Sequence, residues 1–276
     1  MNVVIIGLGL IGGSYAKAIK KYTPHKVTGI DLDKIVLAKA KETGAIDEAG
    51  SQESLKSADI IFLCLYPEAS IQYIEQNGRF IRPGTIVTDA SGIKSVICPA
   101  ISKLAVKYNF DFISSHPMAG KEKNGFDVSE PDLFKNASFI VIPGTSHSSS
   151  VKTLTDLAKS LNFGLIKYTT VEEHDRMISF TSQLPHVLAC AYVLSPNCKN
   201  HNGFSAGSYR DVSRVANINA ELWSELFLQN KYYLISELDT LIQNINQLKD
   251  AVKTENSKLL KNLLHQGHMV KQELGE

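Results

Sequence analysis

Residues 2–22 read "NVVIIGLGLIGGSYAKAIKKY". Five residues of apolar strand run straight into glycines, and the glycines open a helix. Gly7, Gly9 and Gly12 stand in G-x-G-x-x-G register, with Leu8, Leu10 and Ile11 supplying the backbone between them. Each glycine has a separate task in a dinucleotide site. The first permits a tight turn, the second lets the backbone approach a pyrophosphate, and the third lets the helix pack closely on the strand. The helix N-terminus then faces the phosphates. A second strand, "KVTGID", ends about 20 residues on at Asp31. A carboxylate there accepts from a ribose 2′-OH and repels a 2′-phosphate, which favours NAD over NADP. Asp31 is also placed to cap the following helix, and the two roles are compatible.

Working outward, strand and helix signals alternate through the first 170 residues. "DIIFLCLY" (59–66) is a continuous apolar run of the kind buried on both faces of a parallel sheet. "TIVTDA" (85–90), "FDFISSH" (110–116) and "SFIVIPG" (138–144) read as further strands. "LDKIVLAKAKETG", ended by Gly44, and "SVICPAISKLAVKY" read as helices. The expectation is an α/β domain over residues 1–170: a Rossmann-type, doubly wound, mainly parallel sheet. From residue 171 the pattern changes to helix alone, so residues 171–276 form a second, all-helical domain. Within it Leu234, Leu238, Leu241, Ile245, Leu248 and Val252 make a narrow apolar seam, suited either to packing inside one subunit or to a dimer interface.

Composition narrows the function classes. A formal net charge of +1 gives no general attraction to nucleic acid or anionic membrane, so a charged substrate needs a local site. Four cysteines without metal-ligand spacing fit unpaired thiols in a reducing cytoplasm, and no metal site is expected. The first residues enter a strand at once, so no leader is expected. Its most apolar stretch, 178–195, carries Gln183, Pro185 and His186, which suit a buried helix better than a membrane span.

The chemistry centres on "SSHPMAG" (114–120). His116 follows an apolar strand and precedes Pro117, so an imidazole sits on stiffened backbone at the expected carboxyl edge of the sheet. The surrounding "HPMAGKEKNGF" (116–126) resembles the signature of the prephenate dehydrogenase family, which includes arogenate and cyclohexadienyl dehydrogenases. Three further segments are similar in order and spacing: "TDASGIKS" (88–95), "TSQLPH" (181–186) and "GSYRDVSRVANINAELWSELFLQNK" (207–231). The resemblance implies NAD-dependent oxidative decarboxylation of prephenate in tyrosine biosynthesis, with His116 accepting the C4 hydroxyl proton. It implies Arg214 as the grip on a substrate carboxylate, a task suited to a planar guanidinium. Arg210 falls where relatives carry a basic residue. Asp211 and Glu122 would hold the arginines, His186 and Ser182 would meet the substrate, and Trp223 would reach the site from the partner of a homodimer built on the C-terminal helices.

One position departs from the family pattern. Relatives read D-x-G-S-x-K where this chain has "DASGIK", so the serine that orients the histidine falls on Gly92. Ser91, one position early, is the expected substitute. The length leaves no expected space for a fused mutase or regulatory domain, so any tyrosine inhibition would act by competition at the substrate site. Arogenate remains the rival substrate. A β-hydroxyacid dehydrogenase, which would use a catalytic lysine, and a non-catalytic NAD sensor are the more distant rivals.

Overall fold

The computed structural model describes residues 1–275. The glycine-rich stretch becomes β1 (Asn2–Ile6) and α1 (Leu10–Tyr22), followed by β2 (Lys26–Ile30), α2 (Lys34–Glu42) and β3 (Glu48–Ala49). Then come β4 (Ile60–Leu63), α3 (Pro67–Asn77), β5 (Ile86–Asp89), α4 (Ile97–Tyr108) and β6 (Asp111–Phe112). These six strands are all parallel, in the order β3-β2-β1-β4-β5-β6. That is the doubly wound order, with its switch point at β1 and β4 and the ligand crevice beyond their carboxyl ends. The central strands read as apolar runs because both faces are covered. Val3, Ile5, Ile60 and Phe62 pack on one side, and Val4, Ile6, Ile61 and Leu63 on the other.

The expected strand "FDFISSH" is divided. Ile113 still donates to Val87 O at 3.0 Å, after which the chain leaves β5. Ser114–Pro117 forms β7 at the edge of a second sheet, antiparallel to β8 (Ser138–Ile142), which pairs in parallel with β9 (Leu165–Tyr168) beyond α5 (Ser148–Ser160). His116 therefore lies within a strand, opposite Ile140, rather than on a loop after one. Pro117 is tolerated because an edge strand has amide positions that need no ladder partner.

From Val171 the chain is helical: α6 (Val171–Ile178), a π-helical turn (Ser179–Gln183), α7 (Leu184–Val193), α8 (Gly207–Ser213), α9 (Ala220–Gln229), α10 (Lys231–Lys253) and α11 (Ser257–Glu273). A buried polar cluster ties these helices together. Asn230 Nδ2 donates to Asp175 O at 2.9 Å and to Gln183 Oε1 at 2.8 Å, while Gln183 Nε2 donates to Leu226 O at 2.9 Å. The expected seam is only partly covered within one chain. Leu234 is buried and Leu238, Leu241 and Leu248 are half-buried, but Ile245 and Val252 are exposed. No described helix is long and apolar enough to cross a membrane.

Candidate active site

The nucleotide loop is built from backbone. Gly7 has φ +87°, a region that favours glycine, and a Cβ there would lie 2.6 Å from Cys64 O. A Cβ on Gly12 would fall 1.9 Å from Gly7 O, so no side chain fits. Around Gly9 there is open space on the side where a Cβ would project. The start of α1 has no side-chain cap and no acidic residue in its first turn, leaving its amides and positive dipole end available to phosphate. Leu10 and Ile11 contribute those first-turn positions, whereas the Leu8 side chain is core. Asp31 accepts Leu8 N at 2.7 Å and Asp33 N at 2.9 Å. The cap of α2 is Asp33, through Ile35 N at 2.8 Å, so Asp31 is left at the crevice for a ribose. These features fit a dinucleotide.

Behind His116 lies a charged hub with every lone pair used. Asp89 Oδ1 accepts from Ser114 Oγ at 2.6 Å and Ser115 N at 3.3 Å; its Oδ2 accepts from Lys94 Nζ at 2.6 Å and Ser91 N at 2.9 Å. Lys94, fully buried, also donates to Ser115 O at 2.6 Å and so pins the carbonyl directly before His116. A buried pair so well satisfied avoids most of the desolvation cost that makes such pairs expensive.

His116 is partly buried, with Nδ1 at 3.0 Å from His174 Nε2. His174 Nδ1 lies 2.7 Å from Asp175 Oδ1, and Asp175 also accepts Lys94 N at 2.9 Å and Ser95 N at 2.8 Å. Burial, then the neighbouring His174 and Lys94, hold the pKa of His116 well below the ordinary histidine value. Burial also lowers that of His174, against the opposing pull of Asp175. For Asp175 burial acts upward, but the His174 N–H and the two amides outweigh it and keep the carboxyl below its usual range.

The sequence reading missed His174 and Asp175. Their signal was positional: with Val171 and Ile178 they occupy the inward positions of α6, where a polar residue needs a buried partner. The expectation for Ser91 is corrected. Its Oγ is buried without a hydrogen-bond partner among the described residues, and His174 holds His116 instead. At Gly92 a Cβ would make only ordinary contacts, 3.5 and 3.6 Å from Leu226, so nothing steric demands glycine there.

The front of the site is more open. Arg214 Nη1 pairs with Glu122 Oε1, and the Arg214 side chain is 65% exposed. His186 Nδ1, at the start of α7, donates at 2.7 Å to Ser182 O of the π-helical turn, a distortion frequent at functional sites. The His186 ring stacks on Trp223 with centroids 3.7 Å apart. Its pKa is lowered, first by burial and then by Arg214, with Ser182 O and Glu122 acting the other way. Trp223 meets His186 of its own chain and packs against the cluster of Ile93, Ile178 and Leu226. Glu122 holds Arg214 as expected, but Asp211 holds neither arginine. Arg210 and Asp211 are exposed, and no ion pair joins them to another described residue. No described cluster of His, Cys, Asp or Glu could hold a metal.

A Rossmann domain carrying a partly buried imidazole, joined to a helical domain that presents arginine, is the architecture of a dinucleotide-dependent dehydrogenase. Residues 15–167 match the prephenate dehydrogenase nucleotide-binding domain, and residues 170–266 the prephenate dehydrogenase dimerization domain. The chain belongs to the prephenate dehydrogenase family, and is an oxidoreductase. It is 30% identical over 272 residues to the prephenate dehydrogenase of Bacillus subtilis, covering 94% of this chain and 72% of that one. The arogenate dehydrogenase structure from Synechocystis superposes with a TM-score of 0.83 at 28% identity, over 99% of this chain and all of that one. The fold is shared with a prephenate dehydrogenase from A. aeolicus in complex with hydroxyphenyl propionate and NAD+, TM-score 0.88 at 24% identity, over 99% and 98% of the two chains.

Proposed function

We propose that the chain converts prephenate to 4-hydroxyphenylpyruvate and CO2 with NAD, in the reducing cytoplasmic setting that suits its four free cysteines. The observation that carries this reading is His116, an imidazole held neutral by burial, His174 and Lys94. Bound NAD supplies the acceptor for the C4 hydride. His116 takes the C4 hydroxyl proton as that hydride leaves, the ring carboxylate departs as CO2, and its electron pair completes the aromatic ring. The proton then returns to the phenolic oxygen, so none is lost to solvent.

Arg214 receives a substrate carboxylate in exchange for Glu122. An exposed ion pair is worth only about 0.2–1 kcal/mol, so the exchange costs little. His186, fixed by Ser182 O and stacked on Trp223, lines the side-chain end of the substrate. Arg210 adds positive charge one helical turn from Arg214. The exposed, unpaired Asp211 favours a second reading, arogenate, whose ammonium a free carboxylate would attract.

The test is NADH formation by the purified protein with prephenate and arogenate offered separately. Turnover with prephenate in excess supports the first reading, arogenate in excess the second, and silence on both removes each.

The helical domain forms a homodimer in this reading. Ile235, Ile242, Ile245 and Val252 are 45–61% exposed along α10, an apolar row that one chain leaves uncovered. Ile242→Glu should convert the dimer to monomer in light scattering at micromolar concentration; an unchanged mass would move the interface elsewhere.

A further inference from the structure

The protonation states behind His116 follow from a series of hydrogen bonds. Asp175 accepts two backbone amides, Lys94 N at 2.9 Å and Ser95 N at 2.8 Å, and its pKa is held low, so it is an ionised acceptor. His174 Nδ1, 2.7 Å from that carboxylate, must therefore carry the hydrogen. In a neutral His174 this leaves a lone pair on Nε2. That atom stands 3.0 Å from His116 Nδ1, and the contact requires a hydrogen on the His116 side. The rings are tilted by 54° with centroids 5.2 Å apart, consistent with an edge-to-edge hydrogen bond rather than a stack. His116 is then left with its lone pair on Nε2, which bonds to no other described residue.

We propose that His174, backed by Asp175, is a positioning residue that locks His116 in the Nδ1–H tautomer and so presents the Nε2 lone pair to the reacting hydroxyl. The proposal rests on the reading of His116 as proton acceptor. A free imidazole in water favours the opposite tautomer, with Nε2 protonated and unable to accept, so the lock has work to do. It also assigns to His174 the orienting task that the family pattern gives to a serine at the position of Gly92. The lock spans the two halves of the molecule: His116, Lys94 and Ser95 come from the sheet side, and His174 and Asp175 from α6. The docking of α6 thereby sets the state of the base. When His116 takes the proton on Nε2, the Nδ1–H held by His174 stays in place, so the ring need not turn during the step.

The decisive experiment is nitrogen-15 NMR of histidine-labelled, NAD-bound protein, with the His116 signals identified by their loss in His116→Asn. The tautomer lock requires a protonated Nδ1 and a bare Nε2 at neutral pH; a protonated Nε2 with a bare Nδ1 overturns it without recourse to any further variant. Two substitutions then test its consequence. His174→Leu removes the acceptor and should lower kcat about 100-fold while KM for prephenate stays within about threefold, the pattern of an interaction that matters only in the transition state. His174→Gln restores an acceptor to His116 and should recover most of the loss. Unchanged kcat in His174→Leu, with NADH still bound, contradicts the proposal. Equal losses in Leu and Gln contradict it too, since a merely structural role would not distinguish them. Full turnover by His116→Asn would instead remove the proton-acceptor reading, whatever tautomer the wild-type ring adopts.

Discussion

The rear and the front of the site are built on opposite principles. At the rear, Asp89, Lys94, His174 and Asp175 are buried and linked through hydrogen bonds that satisfy their charges. At the front, Arg214 is mostly exposed and holds a single carboxylate, and Arg210 and Asp211 hold none. A buried charge that loses its partner is penalised heavily, whereas an exposed one is rescued by water. The rear is therefore suited to fixing geometry and protonation, and the front to exchanging partners with substrate. The contrast predicts that substitutions at the rear act on stability and kcat, and those at the front act on KM.

The largest effect is expected at the base itself. His116→Asn should lower kcat by at least about 1,000-fold, within the range of general-base catalysis, with NAD affinity within about threefold. Steady-state kinetics with NAD titration checks both halves, and a large loss of NAD affinity would blur the division between rear and loop. Next, Lys94→Met leaves Asp89 buried without its counter-charge and should cost about 3–5 kcal/mol of stability. Urea unfolding followed by circular dichroism measures this; a loss under about 1 kcal/mol would mean the hub is not the rigid element claimed. Arg214→Ala should raise KM about 10- to 100-fold with kcat within about threefold, the signature of lost uniform binding. A fall in kcat without a change in KM would place Arg214 with the rear.

The same contrast explains how much of the molecule was legible in sequence. The nucleotide half was, because backbone geometry demands glycine at fixed spacing: a Cβ on Gly7 or Gly12 collides with main chain. Asp31 was legible for the same reason, since it closes the loop through Leu8 N. The division of "FDFISSH" between two sheets was not. Its apolar and small residues read continuously, and Ser114, where the second strand begins, is held by a side chain distant in sequence, Asp89. The rear of the site was hidden because its pairs are remote in sequence, 58 residues apart for His116 and His174 and 81 for Lys94 and Asp175. The front was legible residue by residue, through Arg214, Glu122, His186 and Trp223. Its pairings were only half so, because an exposed side chain such as Asp211 gives sequence pattern no buried face to report.

In the proposed mechanism the rear keeps His116 neutral and accepting under the conditions of catalysis. Burial, His174 and Lys94 all press its pKa downward. A histidine neutral in the folded state but titrating near 6.5 when unfolded also makes stability fall as pH drops below about 6.5, since the unfolded chain then binds more protons. Activity should outlast the onset of that decline in stability: the base stays in its working form until pH passes the depressed folded value. The most direct test is the pH dependence of kcat/KM for prephenate with the wild-type protein, over the range in which it remains folded. A neutral, buried His116 should give an acid limb whose midpoint lies clearly below pH 6.5. A midpoint at or above pH 6.5 would contradict it.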